Sequence, residues 1–180
     1  MTREQLEHVI LAAASIADDD ELVIIGSQAI LGQFPDAPAA LLVSNEADLY
    51  PKHRPERANL IDGAIGEGSE FHETFGYYAQ GVGPTTAVLP DGWEERLVPV
   101  FGPRTRGATG WCLEVHDLVV SKLVAGRDKD LRFARDAARS GLVRAAELEA
   151  RVASTAIEAA VRARVIERIR ALPRASPPGP

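Results

Sequence analysis

Residues 22 to 29 read Leu22-Val23-Ile24-Ile25-Gly26-Ser27-Gln28-Ala29, and this stretch decides the fold. Four apolar residues before a glycine are typical of a short strand that is buried on both faces. The Gly-Ser pair then turns the chain, and a short helix is predicted over 28–33. Glycine lets a phosphate group approach the backbone closely, and the first turn of a helix offers N–H donors. An ordinary strand-to-helix turn, with Ser27 capping the helix, explains the same residues.

A second informative stretch is Ser44-Asn45-Glu46-Ala47-Asp48-Leu49-Tyr50. In an extended segment, residues two apart point to the same side, so Glu46 and Asp48 lie side by side. Two adjacent carboxylates repel each other, and a divalent cation such as Mg²⁺ or Mn²⁺ removes that cost. The alternative is a strand edge with two solvated acids.

The apolar pattern around these stretches predicts an α/β protein. Helical spacing of apolar residues predicts a first helix over 3–17. Further strands are predicted at 40–43, 47–50, 77–79, 86–89, 96–100 and 111–113, and further helices at 57–65, 70–75, 115–125, 128–140, 145–151 and 155–172. We therefore expect an α/β core over 1–113, a helical part over 114–172 packed on it, and a disordered tail over 173–180.

The composition is that of a soluble globular protein, because 46% of the 180 residues are hydrophobic and 26% are charged. One cysteine, no signal-like start and no long apolar run make the cytoplasm the expected compartment and exclude a membrane span. A net charge of −6 disfavours a dedicated nucleic-acid binder. Six arginines in residues 151–180 leave a local basic surface open.

Together, the strand–Gly26-Ser27–helix element and the Glu46-x-Asp48 strand resemble the signature of the polymerase-beta-like nucleotidyltransferases. The resemblance implies their fold, a mixed central sheet flanked by helices. It also implies a nucleoside triphosphate bound at Gly26 and Ser27, with Mg²⁺ or Mn²⁺ on Glu46 and Asp48. Glu46 stands where that superfamily usually has aspartate. Its third carboxylate is not assigned, and the acids near later strands are Glu94, Glu95 and Glu114.

A third block runs from Glu114 to Asp130 and includes Asp117-Leu118, Lys122 and Arg127-Asp128-Lys129-Asp130. It resembles a block of an uncharacterised bacterial nucleotidyltransferase-like family related to abortive-infection and toxin–antitoxin nucleotidyltransferases. Carried over, Lys122 would contact the triphosphate, Arg127 would neutralise phosphate charge, and Asp130 would supply an acid. The alternative is a solvated, charged turn between two helices.

The resulting functional prediction is transfer of a nucleoside monophosphate from a nucleoside triphosphate to an RNA, protein or small-molecule acceptor. The alternative is a catalytically degenerate fold that binds a nucleotide or a protein, in a toxin–antitoxin or phage-defence locus. Glu46 and the unassigned third carboxylate favour this alternative.

Overall fold

A computed structural model describes residues 1–173, and the chain within it divides into two compact units. The first unit comprises Met1–Thr86 and Leu97–Glu114. The second comprises Ala87–Arg96 and the chain from Val115 onward. The segment 87–96 therefore groups with the helices, whereas the sequence places it in the α/β core. The predicted tail lies outside the described residues, except for Pro173.

The first unit contains the mixed five-stranded sheet that the α/β prediction requires, so the predicted fold class is confirmed. The strands are β1 (Glu21–Ile24), β2 (Glu46–Pro51), β3 (Tyr78–Gly81), β4 (Val98–Val100) and β5 (Thr109–Cys112). Their order in the sheet is β3-β2-β1-β5-β4. The central β1 pairs antiparallel with β2 and parallel with β5, while β2 and β3 are parallel.

Four helices belong to this unit: α1 (Arg3–Ala17), α2 (Ile30–Gln33), α3 (Ala58–Ile65) and α4 (Glu70–Phe75). Thr2 and Gln5 form a reciprocal capping box at the start of α1, and Asp18 ends it in the left-handed conformation, at φ 52°. Both α1 and α3 pack against β2 and β3. Gly110 of β5 is needed for the close approach of α1, because a Cβ there would lie 2.5 Å from Cδ1 of Ile10.

Two strand predictions are wrong. Residues 40–43 form no strand, because Pro38 begins a 3₁₀ turn over Ala39–Leu41 and Val43 is left 79% exposed. Residues 86–89 form none either, since Pro84 starts a 3₁₀ turn over Pro84–Thr86. The chain that follows makes an isolated bridge from Pro90 to Thr155 and does not join the sheet.

Within residues 1–173, the second unit holds four α-helices: α5 (Val115–Ala125), α6 (Asp128–Arg139), α7 (Ala145–Ala153) and α8 (Ala159–Arg170). Left-handed glycines lie at the two breaks between α5, α6 and α7, with φ 67° at Gly126 and 69° at Gly141. Val165 and Ile169 of α8 are buried, so this part of its apolar stripe is core. Across residues 1–173, the helices are all too short or too polar to cross a membrane.

Candidate functional site

The glycine turn after β1 lies directly against the acidic strand. The Ile25 N–H donates to the Asp48 carbonyl oxygen at 3.0 Å. Gly26 follows in extended backbone, φ −84° and ψ −171°, which any residue adopts. Its missing side chain is what matters, because a Cβ on Gly26 would overlap the Asp48 carboxylate, with Oδ2 the nearest atom. The backbone of the Gly-Ser turn is therefore in direct contact with the Asp48 side chain.

Glu46 and Asp48 share one face of β2. Both are half-buried, and they alternate with Ala47 and Leu49, which are 0% exposed. Since α1 and α3 pack over β2, the two acids project from the opposite face of the sheet. Gly26 and the acidic strand are thus adjacent within the first unit, and the 3₁₀ turn that begins at Ser27 contacts β2.

Gln28 is a site residue that sequence reasoning missed. Its side chain is 0% exposed, and Nε2 donates to the Ser44 carbonyl oxygen at 2.9 Å. Ser44 Oγ in turn accepts the N–H of Glu46 at 3.1 Å. Within residues 1–173, Gln28 Oε1 finds no hydrogen-bond partner although it is buried. Gln28 thus ties the Gly-Ser turn to the start of the acidic strand. The available signal was a glutamine immediately before the apolar run 29–31.

Tyr78, which lies beside the acids, and His72, whose ring contacts Tyr78, were also missed as site residues. Tyr78 of β3 is paired in register with Glu46, and Gln80 with Asp48. Burial raises the pKa of Tyr78, and the negative charges of Glu46, Glu67 and Asp48 raise it further. The His72 ring lies 4.6 Å from the Tyr78 ring, centroid to centroid. No motif marked these residues, because their proximity depends on strand register.

The carboxylate pair suits a divalent cation that phosphate also binds. Mg²⁺ is usually held by one or two carboxylates together with substrate phosphate oxygens and water. Glu46 and Asp48 supply the two carboxylates, and the missing side chain of Gly26 lets the Asp48 carboxylate lie against the turn. Within residues 1–173, no group of three or more His, Cys, Asp or Glu side chains is placed to hold a metal ion.

The predicted residues of the third block meet in the second unit as an ion cluster in which Lys122 and Asp130 are buried and Arg127 is exposed. Asp130 is 0% exposed and Lys122 is 9% exposed, with Nζ 3.2 Å from Asp130 Oδ1. Arg127 Nε donates to Asp130 Oδ2 at 2.6 Å. Burial favours the neutral acid, but the hydrogen bond from Arg127 and the nearby Lys122 ammonium outweigh it and lower the Asp130 pKa. The alternative of a wholly solvated turn is wrong for Lys122 and Asp130.

A second buried carboxylate in this unit, Asp117, has a structural explanation. It is 0% exposed and accepts from Nε and a terminal nitrogen of Arg96 at 2.8 and 3.1 Å. The pair fixes the segment 87–96 to α5.

Arg162 donates to the carbonyl oxygens of Val152 and Ala153 at the end of α7, at 2.6 and 3.0 Å. Some C-terminal arginines therefore hold the helical unit together.

Residues 4–170 match a family model described as a nucleotidyltransferase of unknown function (DUF6036). A search of curated proteins and a search of solved structures each found no match.

Proposed function

We propose, from the premise that this chain belongs to the nucleotidyltransferase family DUF6036, that it transfers a nucleoside monophosphate from a nucleoside triphosphate to an acceptor. The observation that carries the proposal is the contact between the side-chain-free turn at Gly26 and the Asp48 carboxylate. A phosphate held by backbone N–H groups of this turn would lie beside a metal-binding acid.

The triphosphate binds at Gly26 and Ser27, and Glu46 and Asp48 hold Mg²⁺ or Mn²⁺. When bound, the metal neutralises phosphate charge and polarises the α-phosphorus for attack. Gln28 keeps the turn and the acidic strand in register through Ser44. These assignments explain why half-buried acids are placed side by side, where they would otherwise repel each other.

The reaction forms one bond and breaks another. A hydroxyl oxygen of the acceptor attacks the α-phosphorus, and the bond from that phosphorus to the α–β bridging oxygen breaks. The electron pair leaves with pyrophosphate. The acceptor's proton passes to a carboxylate oxygen of Glu46, which is the acid paired in register with the β3 side chain Tyr78.

Lys122, Arg127 and Asp130 keep the roles that the resemblance implies as part of the proposal. Lys122 contacts the triphosphate, Arg127 neutralises phosphate charge, and Asp130 supplies an acid. Lys122→Met would then weaken triphosphate binding. A Lys122→Met protein that binds triphosphate like the wild type would remove Lys122 from the proposal.

Isothermal titration with ATP, CTP, GTP and UTP, with and without Mg²⁺, tests the site. We expect one or more triphosphates to bind only with metal, and Glu46→Ala/Asp48→Ala to abolish that binding. The matched control is Asp36→Ala/Glu56→Ala, which removes the same charge from two exposed positions of the same unit. Failure of every triphosphate to bind, or equal loss in both double variants, would contradict the proposal.

The second candidate function is nucleotide binding without transfer of a nucleoside monophosphate. The residue that the register of β3 places beside Asp48 favours it. The side chain that neighbours Asp48 on this strand is the amide Gln80, where a carboxylate would strengthen metal binding. Incubation with α-labelled triphosphate and a cell extract separates the two candidates. Labelled product with release of pyrophosphate supports transfer, and metal-dependent binding with neither supports a nucleotide-binding module.

We also propose that the protein has the kind of role implied by its narrower resemblance to abortive-infection and toxin–antitoxin nucleotidyltransferases. Such a role implies an effect on cell growth or on phage infection. Expression of the wild type and of Glu46→Ala/Asp48→Ala in a bacterial host, with counts of surviving cells and phage plaques, tests it. Identical counts for both proteins would contradict it.

A further inference from the structure

The structure places Tyr78 on the side of the carboxylates that faces away from the Gly-Ser turn, with the His72 ring in contact with it. We propose that Tyr78 and His72 form the acceptor subsite, and that it takes a neutral alcohol carried on a planar ring, the chemistry of a nucleoside. The inference rests on the proposed function and extends it to the class of acceptor.

The order of the strands gives the first argument. The turn at Gly26 follows β1, the acids lie on β2, and Tyr78 lies on β3, so the sheet order β3-β2-β1 puts the acids between the turn and the tyrosine. Phosphoryl transfer proceeds in line, with the attacking and leaving oxygens on opposite sides of phosphorus. With the leaving phosphates on the turn, the attacking hydroxyl approaches from the β3 side.

The orientation of the rings gives the second argument. Tyr78 is paired with Glu46 across a parallel ladder, so both side chains project from the same sheet face. His72 Nδ1 accepts the N–H of Gly68 at 3.0 Å. The neutral imidazole therefore carries its hydrogen on Nε2, which can donate to an acceptor. Both rings are half-buried, and they contact each other at 4.6 Å, centroid to centroid.

Local charge selects the kind of acceptor. Glu46, Asp48 and Glu67 all act on the Tyr78 hydroxyl as negative charges. An anionic acceptor would be repelled here, whereas a neutral ring can stack on Tyr78 at no electrostatic cost. The exposed amide of Gln80, two residues further along β3, can hydrogen-bond the edge of such a ring. Attack by the ring-bearing hydroxyl then follows the bond changes given above, with pyrophosphate leaving and the proton passing to Glu46.

The test separates the acceptor from the triphosphate. The protein is first saturated with Mg²⁺ and an α,β-methylene triphosphate, which binds but cannot react. Adenosine, guanosine, cytidine, uridine and ribose are then titrated into that complex. We expect at least one nucleoside to bind and ribose not to bind. Tyr78→Ala and His72→Ala should each weaken nucleoside binding by about fivefold or more, because stacking of a base on an aromatic ring is worth about 5- to 150-fold.

Two further variants control the test. Tyr78→Phe keeps the ring and should bind nucleoside within about threefold of the wild type, since stacking is retained. Phe75→Ala removes a 46% exposed ring from the same helix as His72, outside the subsite, and should change nothing. The affinity for the methylene triphosphate should be unchanged in all four variants.

Three results would overturn the inference while leaving the proposed function intact: no nucleoside binds to the triphosphate complex, ribose binds as well as a nucleoside, or Tyr78→Ala binds nucleoside like the wild type. A parallel fall in triphosphate affinity would instead place Tyr78 in the nucleotide site and also overturn it. If the wild type does not bind the methylene triphosphate at all, the proposed function fails and the inference fails with it.

Discussion

Replacing Gly26 with alanine adds one methyl group at the contact between the turn and the acidic strand. The backbone there is at φ −84° and ψ −171°, so alanine brings no conformational strain. The new Cβ would overlap the Asp48 carboxylate and lie 2.8 Å from Asp48 Cβ, which real Cβ atoms do not tolerate. The substitution therefore displaces the Asp48 side chain.

The size of the effect follows from that displacement. Inserting a methyl group into a packed contact costs about 1–3 kcal/mol of unfolding free energy. Losing a residue that hydrogen-bonds to a metal ligand lowers metal affinity by about 10- to 100-fold. Moving the ligand itself should lower the affinity by at least as much. Gly26→Ala should thus stay folded and lose about 10- to 100-fold in Mg²⁺-dependent triphosphate affinity.

Titration calorimetry and urea unfolding measure the two quantities on the same preparation. Gly63→Ala is the matched control, because nothing lies within 4 Å of a Cβ at this position in α3. It should stabilise the protein by about 0.5–1 kcal/mol and leave binding unchanged. In an Asp48→Ala background the overlap with the carboxylate is gone, so Gly26→Ala should cost less unfolding free energy there. Wild-type affinity in Gly26→Ala, or an equal cost in both backgrounds, would refute the reasoning.

Three other outcomes are expected. Gln28→Leu removes the hydrogen bond to Ser44 but keeps a side chain of similar volume. The apparent Mg²⁺ affinity at saturating triphosphate should therefore fall by about tenfold, with little change in unfolding free energy. An unchanged affinity would contradict this. Asp130→Asn should lose about 3 kcal/mol at pH 7 by leaving the Lys122 cation without its carboxylate. Because the folded Asp130 pKa is lowered, that stability exists above about pH 4 and disappears as the pH falls through the folded pKa, so urea unfolding of the two proteins should converge in acid. Gly110→Val forces a side chain against Ile10 and should lower the unfolding free energy by about 1–3 kcal/mol, and an unchanged urea midpoint would count against the packing described.

The elements with strong local signals were predictable from the sequence. The apolar spacing of 3–17 and 115–125 and the glycines at the helix breaks each specify their structure locally. The failures at 40–43 and 86–89 have a common cause. Both are short apolar runs after a proline, and such a run becomes a strand only if a partner strand is available to pair with it.

The candidate site was predictable only where its residues are close in sequence. The Gly-Ser turn and the acid pair were each visible as short motifs, and their proximity followed from a resemblance. Tyr78 and His72 were not predicted, because only the parallel register of β2 and β3 brings Tyr78 beside Glu46. Gln28 was passed over because a single glutamine shows no pattern until its bond to Ser44 is known.

The most direct measurement is a crystal structure of the protein grown with Mn²⁺ and an α,β-methylene triphosphate, using the anomalous signal of manganese to locate the ion. We expect an anomalous peak at coordination distance, about 2.0–2.2 Å, from carboxylate oxygens of both Glu46 and Asp48. We also expect phosphate oxygens hydrogen-bonded to the turn at Gly26 and Ser27. A triphosphate bound elsewhere, or a manganese peak that touches neither carboxylate, would contradict it.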